Sequence, residues 1–308
     1  MSVTYSDSYT RSWSPDGEIT YLTLSDGTRL RHLKIGSGPA LVLLHTLRTQ
    51  LDYFQRLIPR LTRHFTVHAV DLPGLGWSDI RAGASYEEPA LRWAVVEFVK
   101  ALDLTDVTLA GESIGATVAL TASTELRDRV RQVVALNTYD YPQGVERANL
   151  LASLVVKAMR VPGFGLVFSK LSNPPILTGV MQGGFFDPNK LPKDFVHEQL
   201  RSGKRQGYAT VETRYLRALK SYMAARTLYG QVTAPVTLVY SDHDWSKPEE
   251  RAEVARLLPA NQLITLHQAG HFSSLEHPDE IARILIDAAA APSSNIARIE
   301  RKAAGGRS

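Results

Sequence analysis

Gly111-Glu112-Ser113-Ile114-Gly115 decides how the rest of the chain is read. The pentapeptide closes the apolar run Val107-Thr108-Leu109-Ala110 and opens a small-residue helical pattern over 114–126. A serine held on a tight strand-to-helix turn projects its hydroxyl out of the fold. The turn brings backbone segments so close together that glycine is needed on both flanks. The helix that follows aims unpaired N–H groups at any negative charge developing beside the serine. The expected chemistry is acyl transfer through a nucleophilic serine.

On either side of this turn the chain alternates between strand and helix patterns. Residues 19–24 alternate and end at the hairpin turn Ser25-Asp26-Gly27-Thr28; residues 29–35 form the return strand, closed by Gly36-Ser37-Gly38-Pro39. Residues 40–44 are continuously apolar, as in a strand covered on both faces. Further strands are expected at 65–70, 107–110, 130–136, 236–240 and 262–266, and helices at 49–61, 89–102, 114–126, 248–258 and 278–289. This rhythm implies a parallel sheet with helices on both faces and an active site at the carboxyl ends of the strands. It breaks between Tyr139 and Gln231, where apolar helical segments are separated by Pro162, Gly163, Gly165, Pro174, Pro175, Gly183 and Gly184. That stretch is expected to be a helical insertion.

A serine hydroxyl needs a base within hydrogen-bond reach, and the base needs an orienting acid. Ser241-Asp242-His243-Asp244 follows the strand at 236–240, and Gly270-His271-Phe272 follows the strand at 262–266. The candidates therefore run in the order Ser113, Asp244, His271. His271 would take the serine proton and return it to the leaving group, and Asp244 would fix the imidazole tautomer. Two other carboxylates compete for the acid role: Asp242, two residues earlier, and Asp140, beyond the strand at 130–136.

With these motifs in order, the chain resembles the α/β-hydrolase fold family over about residues 19–137 and 232–290. His45 follows the third strand. Asp71-Leu72-Pro73-Gly74-Leu75-Gly76-Trp77-Ser78 resembles the family's D-x-P-G-x-G-x-S turn, Gly111 to Gly115 its nucleophile elbow, and Gly270-His271-Phe272 with Leu275-Glu276 its histidine loop. The resemblance implies an α/β fold with a mostly parallel eight-stranded sheet flanked by helices, and an inserted helical cap. The implied organisation is a core over 1–138 and 232–290, a cap over 139–231 and a basic flexible tail over 291–308. By position, the backbone N–H groups of Leu47 and Ile114 would form the oxyanion hole. The family usually reads H-G-x after the third strand, whereas this chain has His45-Thr46-Leu47-Arg48. Thr46 would bring a hydroxyl and Arg48 a cation to that loop; with Trp245 beside Asp244, they are candidate pocket residues.

Composition narrows the field. There is no cysteine among the 308 residues, which excludes thiol catalysis and thiolate metal sites. Arg298, Arg301, Lys302 and Arg307 against Glu300 place most of the net charge of +4 in the last residues, leaving a body near neutrality and no case for nucleic-acid binding. Met1 to Thr10 lacks an apolar leader pattern, and no apolar run is long enough to span a bilayer. A cytoplasmic protein without stable membrane insertion, acting on a small-molecule substrate, is expected. No metal or organic cofactor is implied. Haloalkane dehalogenases and epoxide hydrolases share the layout but need aspartate at the elbow, so Ser113 argues against both. The leading reading is hydrolysis of a small to medium hydrophobic carboxylic ester or lactone. The alternatives are a carbon–carbon bond hydrolase of the diketone-cleaving type and a receptor-like small-ligand-binding protein.

Overall fold

A computed structural model describes residues 7–161 and 173–291. Eight strands, β1 (Glu18–Thr23), β2 (Arg29–Gly36), β3 (Ala40–Leu44), β4 (Thr66–Val70), β5 (Val107–Glu112), β6 (Val130–Leu136), β7 (Val236–His243) and β8 (Asn261–Gly270), form one sheet in the order β1-β2-β4-β3-β5-β6-β7-β8. β1 and β2 pair antiparallel, as do β2 and β4, and every other pairing is parallel. The period of two in strand side chains divides the core into two layers. Val42 and Leu44 of β3, Leu109 of β5 and Val133 of β6 face one layer with the helices Glu88–Ala101 and Ile114–Leu126. Leu41, Leu43, Ala110 and Val134 face the other, with residues of 51–61 and the helix Pro278–Ala290.

The expected helix at 49–61 is instead a 3₁₀ turn, Leu51–Phe54, followed by a short α-helix, Ile58–Leu61. Two local effects interrupt it. Pro59 has no N–H for a helical bond, and Leu51 N–H donates to the Asp71 carboxylate (2.6 Å) instead of joining a helix. Asp52 and Asp71 both pair with the fully buried Arg31, at 2.8 and 2.7 Å. Asp52 also accepts from Trp13 Nε1 (2.8 Å), which anchors an N-terminal helix, Ser8–Trp13, absent from the sequence reading.

Between β6 and β7 the described residues hold helices and no strand: Leu150–Arg160, Pro174–Gln182, Lys193–Gly203 and Tyr208–Ala224, with short 3₁₀ turns. Pro174 and Pro175, read as breaks, instead start a helix whose N-cap Asn173 accepts from Ile176 N–H (3.1 Å). The expected breaks at Pro162, Gly163 and Gly165, and all but the first residue of the basic tail expected over 291–308, lie outside the described residues. No described helix is long and apolar enough to cross a membrane.

Candidate active site

Ser113 sits between β5 and the helix Ile114–Leu126 at φ 61°, ψ −123°, a conformation non-glycine residues rarely adopt. Close backbone packing accounts for both glycines of the elbow. A Cβ on Gly111 would lie 2.4 Å from the carbonyl of Gly115, and one on Gly115 would lie 2.3 Å from the carbonyl oxygen of Leu44. Ser113 is held through its backbone, its N–H donating to Leu136 O (2.9 Å) and its carbonyl accepting from Tyr139 N–H (3.2 Å).

β8 runs four residues beyond the expected strand, so His271 follows it directly and is fully buried. Gly270 is needed there because a Cβ would lie 2.5 Å from Gly184 O. Glu276 fixes this approach, accepting from Gly270 N–H (2.8 Å), Asp187 N–H (2.7 Å) and Phe186 N–H (3.1 Å). His271 Nδ1 hydrogen-bonds Asp244, and both side chains are fully buried. With its proton on Nδ1, the imidazole keeps a lone pair on Nε2, which is buried and has no hydrogen-bond partner. Burial pushes the Asp244 carboxyl up, but the charge and hydrogen bond of His271, with bonds from Ser246 N–H and Oγ–H, bring it below its ordinary value.

Neither rival acid meets His271. The Asp242 carboxylate accepts from Gln268 N–H (3.0 Å) and Ala269 N–H (3.2 Å) and pairs with His243. Asp140 accepts from Tyr229 Oη–H (2.6 Å) and Thr138 Oγ1–H (3.2 Å). Trp245 stacks on the His271 imidazole, centroids 3.8 Å apart and planes 12° apart, and donates from Nε1 to Gly183 O (3.0 Å). Tyr139, whose N–H holds the Ser113 carbonyl, sets its ring edge-on to His271 at 6.3 Å. Tyr139 thus links the Ser113 backbone to the His271 ring.

The loop after β3 explains the departure at Thr46. Its left-handed residue is Arg48, at φ 58°, and Thr46 does not have positive φ, so position 46 makes no conformational demand for glycine. The Thr46 carbonyl accepts from His45 Nδ1–H (2.9 Å), Thr49 Oγ1–H (2.9 Å) and Thr49 N–H (3.2 Å). His45 Nε2 accepts from Leu72 N–H (2.9 Å), tying this loop to the turn after β4. Burial lowers the His45 pKa, so its neutral form serves as this bridge. Among the described residues, neither Leu47 N–H nor Ile114 N–H has a backbone acceptor. Arg48 pairs with Glu212 of the helix Tyr208–Ala224.

These elements enclose a cavity. Thr46, Leu47, Arg48, Thr49 and Ser113 line one side with Trp245 and Phe272. The segment between β6 and β7 lines the rest with Tyr139, Val145, Val155, Val156, Met159, Leu177, Val180, Met181 and Leu216, and with Glu212 as the one acidic group among the described residues that line it. All three residues expected at the pocket, Thr46, Arg48 and Trp245, face it.

The chain belongs to the alpha/beta hydrolase family, whose model its sequence matches over residues 41–284. Haloalkane dehalogenase 2 of Mycobacterium tuberculosis is 25% identical over 276 residues, covering 84% of this chain and 91% of that protein. The (E)-2-((N-methylformamido)methylene)succinate hydrolase of Acinetobacter baylyi is 30% identical over 116 residues, 38% of this chain and 44% of the relative. A mutant of haloalkane dehalogenase DatA from Agrobacterium tumefaciens has the same fold, with a TM-score of 0.79 at 20% identity over 91% of this chain and 99% of that one. So does the meta-cleavage product hydrolase CumD from Pseudomonas fluorescens, with a TM-score of 0.72 at 13% identity over 87% and 96%.

Proposed function

We propose that this protein is a serine hydrolase that cleaves small to medium hydrophobic carboxylic esters or lactones through an acyl-enzyme. The observation that carries the reading is the buried Asp244–His271 pair with an unpartnered Nε2, in contact with Trp245 and Tyr139 of the cavity that Ser113 lines. Ser113 Oγ attacks the substrate carbonyl carbon as its proton passes to His271 Nε2. The carbonyl oxygen takes the negative charge, facing the N–H groups of Leu47 and Ile114. Collapse of the intermediate expels the alcohol, which takes the proton back from His271 and leaves the acyl group on Ser113. A water molecule, deprotonated by His271, then attacks the acyl carbon and regenerates the serine. Asp244 keeps the proton on Nδ1 and stabilises the imidazolium.

The elbow residue separates this reading from the activity named for the dehalogenase relatives. Displacing a halide from an alkyl carbon calls for a carboxylate nucleophile, and position 113 is serine. The wall supplied by the segment between β6 and β7 supports an apolar acyl or lactone substrate and a cap-like role for 139–231. The test is turnover of p-nitrophenyl acetate and butyrate and of a lactone panel, with covalent labelling by a fluorophosphonate. The expected result is labelling at Ser113 and a loss on the order of a thousandfold or more in Ser113→Ala. Full turnover by Ser113→Ala would end the acyl-enzyme reading.

A further inference from the structure

The residue just before the nucleophile is used elsewhere. Glu112, the last residue of β5, is fully buried and does not line the cavity. Its carboxylate turns toward the segment that follows His271. Oε1 accepts from Ser273 N–H (2.6 Å) and Ser273 Oγ–H (2.7 Å), and Oε2 accepts from Ser274 N–H (3.2 Å). Asn137, just beyond β6, extends this pad. Its Nδ2 lies 3.4 Å from Glu112 Oε1, 3.3 Å from Ser273 Oγ and 3.1 Å from the His271 carbonyl oxygen, while its Oδ1 accepts from Ser241 N–H (2.8 Å). Four chain segments that end at the site therefore meet in one buried polar cluster that holds the His271 backbone carbonyl.

We propose that Glu112 is a positioning residue, clamping the histidine segment to the nucleophile elbow so that His271 Nε2 stays registered on Ser113. This rests on the serine-nucleophile reading above. The physical case is rigidity. Ser113 and Glu112 are adjacent on one strand end, and His271 and Ser273 are two residues apart on the other. A carboxylate bridging the two makes the serine–histidine distance depend on one short connection instead of on the loops of two separate strands. Both carboxylate oxygens accept backbone N–H groups, so an ionised, acceptor-only side chain fits and an amide does not. In glutamine, one terminal atom is an NH₂ that would face an N–H. Burial raises the Glu112 pKa, while the bonds from Ser274 and Ser273 oppose that rise. An uncompensated group here would be costly, which is the setting in which one clamp can set a geometry.

The experiment compares Glu112→Gln and Ser273→Ala with the parent for kcat, KM and the rate of fluorophosphonate labelling of Ser113. In folded Glu112→Gln, kcat and labelling should fall together by about tenfold or more with KM within about twofold, because a small misplacement acts on the chemical step. Ser273→Ala removes one of the bonds and should fall by about threefold with the same split. A loss of thermal stability with kcat and labelling unchanged would mean a structural role only and overturn the proposal. If Glu112→Gln does not fold, unchanged kcat and labelling in Ser273→Ala overturns it. Ser113→Ala separates the two readings. Its retained turnover removes the serine nucleophile itself, whereas lost turnover there with unchanged Glu112→Gln removes only the clamp.

Discussion

The ends of β6 and β7 each carry a buried aspartate, and the two have opposite protonation behaviour. Asp140, beyond β6, receives hydrogen bonds from Tyr229 and Thr138, and burial raises its pKa to about 6 despite them. Asp244, just beyond β7, is as deeply buried, yet its pKa is lowered because His271 and Ser246 outweigh burial. Depth is the same and the partner differs. Hydroxyl donors and the charge of Arg226 only soften the penalty of burying Asp140, whereas the directly hydrogen-bonded His271, with Ser246, reverses it for Asp244. Only the β7 carboxylate can stabilise an imidazolium, so only that end is equipped for proton transfer.

The strongest way to break this contrast is Asp244→Asn. An amide presents NH₂ to His271 Nδ1, the imidazole takes the other tautomer, and Nε2 then carries a proton it cannot exchange for that of the serine. The expected loss in kcat is about 10⁴-fold with little change in KM. Steady-state kinetics on a p-nitrophenyl ester checks it. A loss of that size in Asp140→Asn, with Asp244→Asn active, would invert the assignment of the two ends.

Asp140→Asn should instead act on stability. A carboxyl whose folded pKa lies above its unfolded value, here about 6 against 3.8, binds its proton more tightly in the folded state. Its contribution to stability is therefore present at low pH and lost as pH rises from about 4 to about 6. Removing that charge should raise stability at pH 7.5 by about 2–3 kcal/mol while leaving kcat within about twofold. Urea unfolding at pH 4 and at pH 7.5 checks this: the parent should gain less stability than the variant over the rise, or lose more. A variant less stable than the parent at pH 7.5 would show that the Tyr229 bond needs the carboxylate.

Much of this arrangement was legible in the chain itself. Parallel strands covered on both faces read as unbroken apolar runs, which is why residues 40–44 and 107–110 were found where they lie. The elbow glycines are legible because each answers to a specific backbone approach. The choice of Asp244 over Asp242 and Asp140 was not settled by spacing alone. Two residues of chain separate Asp242 from Asp244, and only the turn beyond β7 sends one to His271 and the other to Gln268 and Ala269 N–H. The helix expected at 49–61 failed because its partners are remote in sequence. Nothing near Asp52 announces that Arg31 and Trp13 will claim its carboxylate. Glu112 passed as the variable letter of the elbow because its four donors come from residues 137, 273 and 274.

The smallest expected effect tests the neighbour that the β7 end has and the β6 end lacks. Trp245 lies flat on His271 at 3.8 Å, so its π-face adds attraction when the imidazole becomes a cation. It is also tied to the segment between β6 and β7 through Gly183 O. Trp245→Leu keeps an apolar cover but removes the stack and that bond. An aromatic stack contributes about 0.5–1.5 kcal/mol, so kcat should fall by about two- to tenfold. Without the stack the imidazolium loses a stabilising contact, so the acid limb of the kcat–pH profile should move to lower pH. A measured shift to lower pH with the modest kcat loss would place Trp245 with Asp244 as a stabiliser of the imidazolium. An unmoved limb would reduce it to a wall of the pocket and leave the difference between the two strand ends to the aspartates alone.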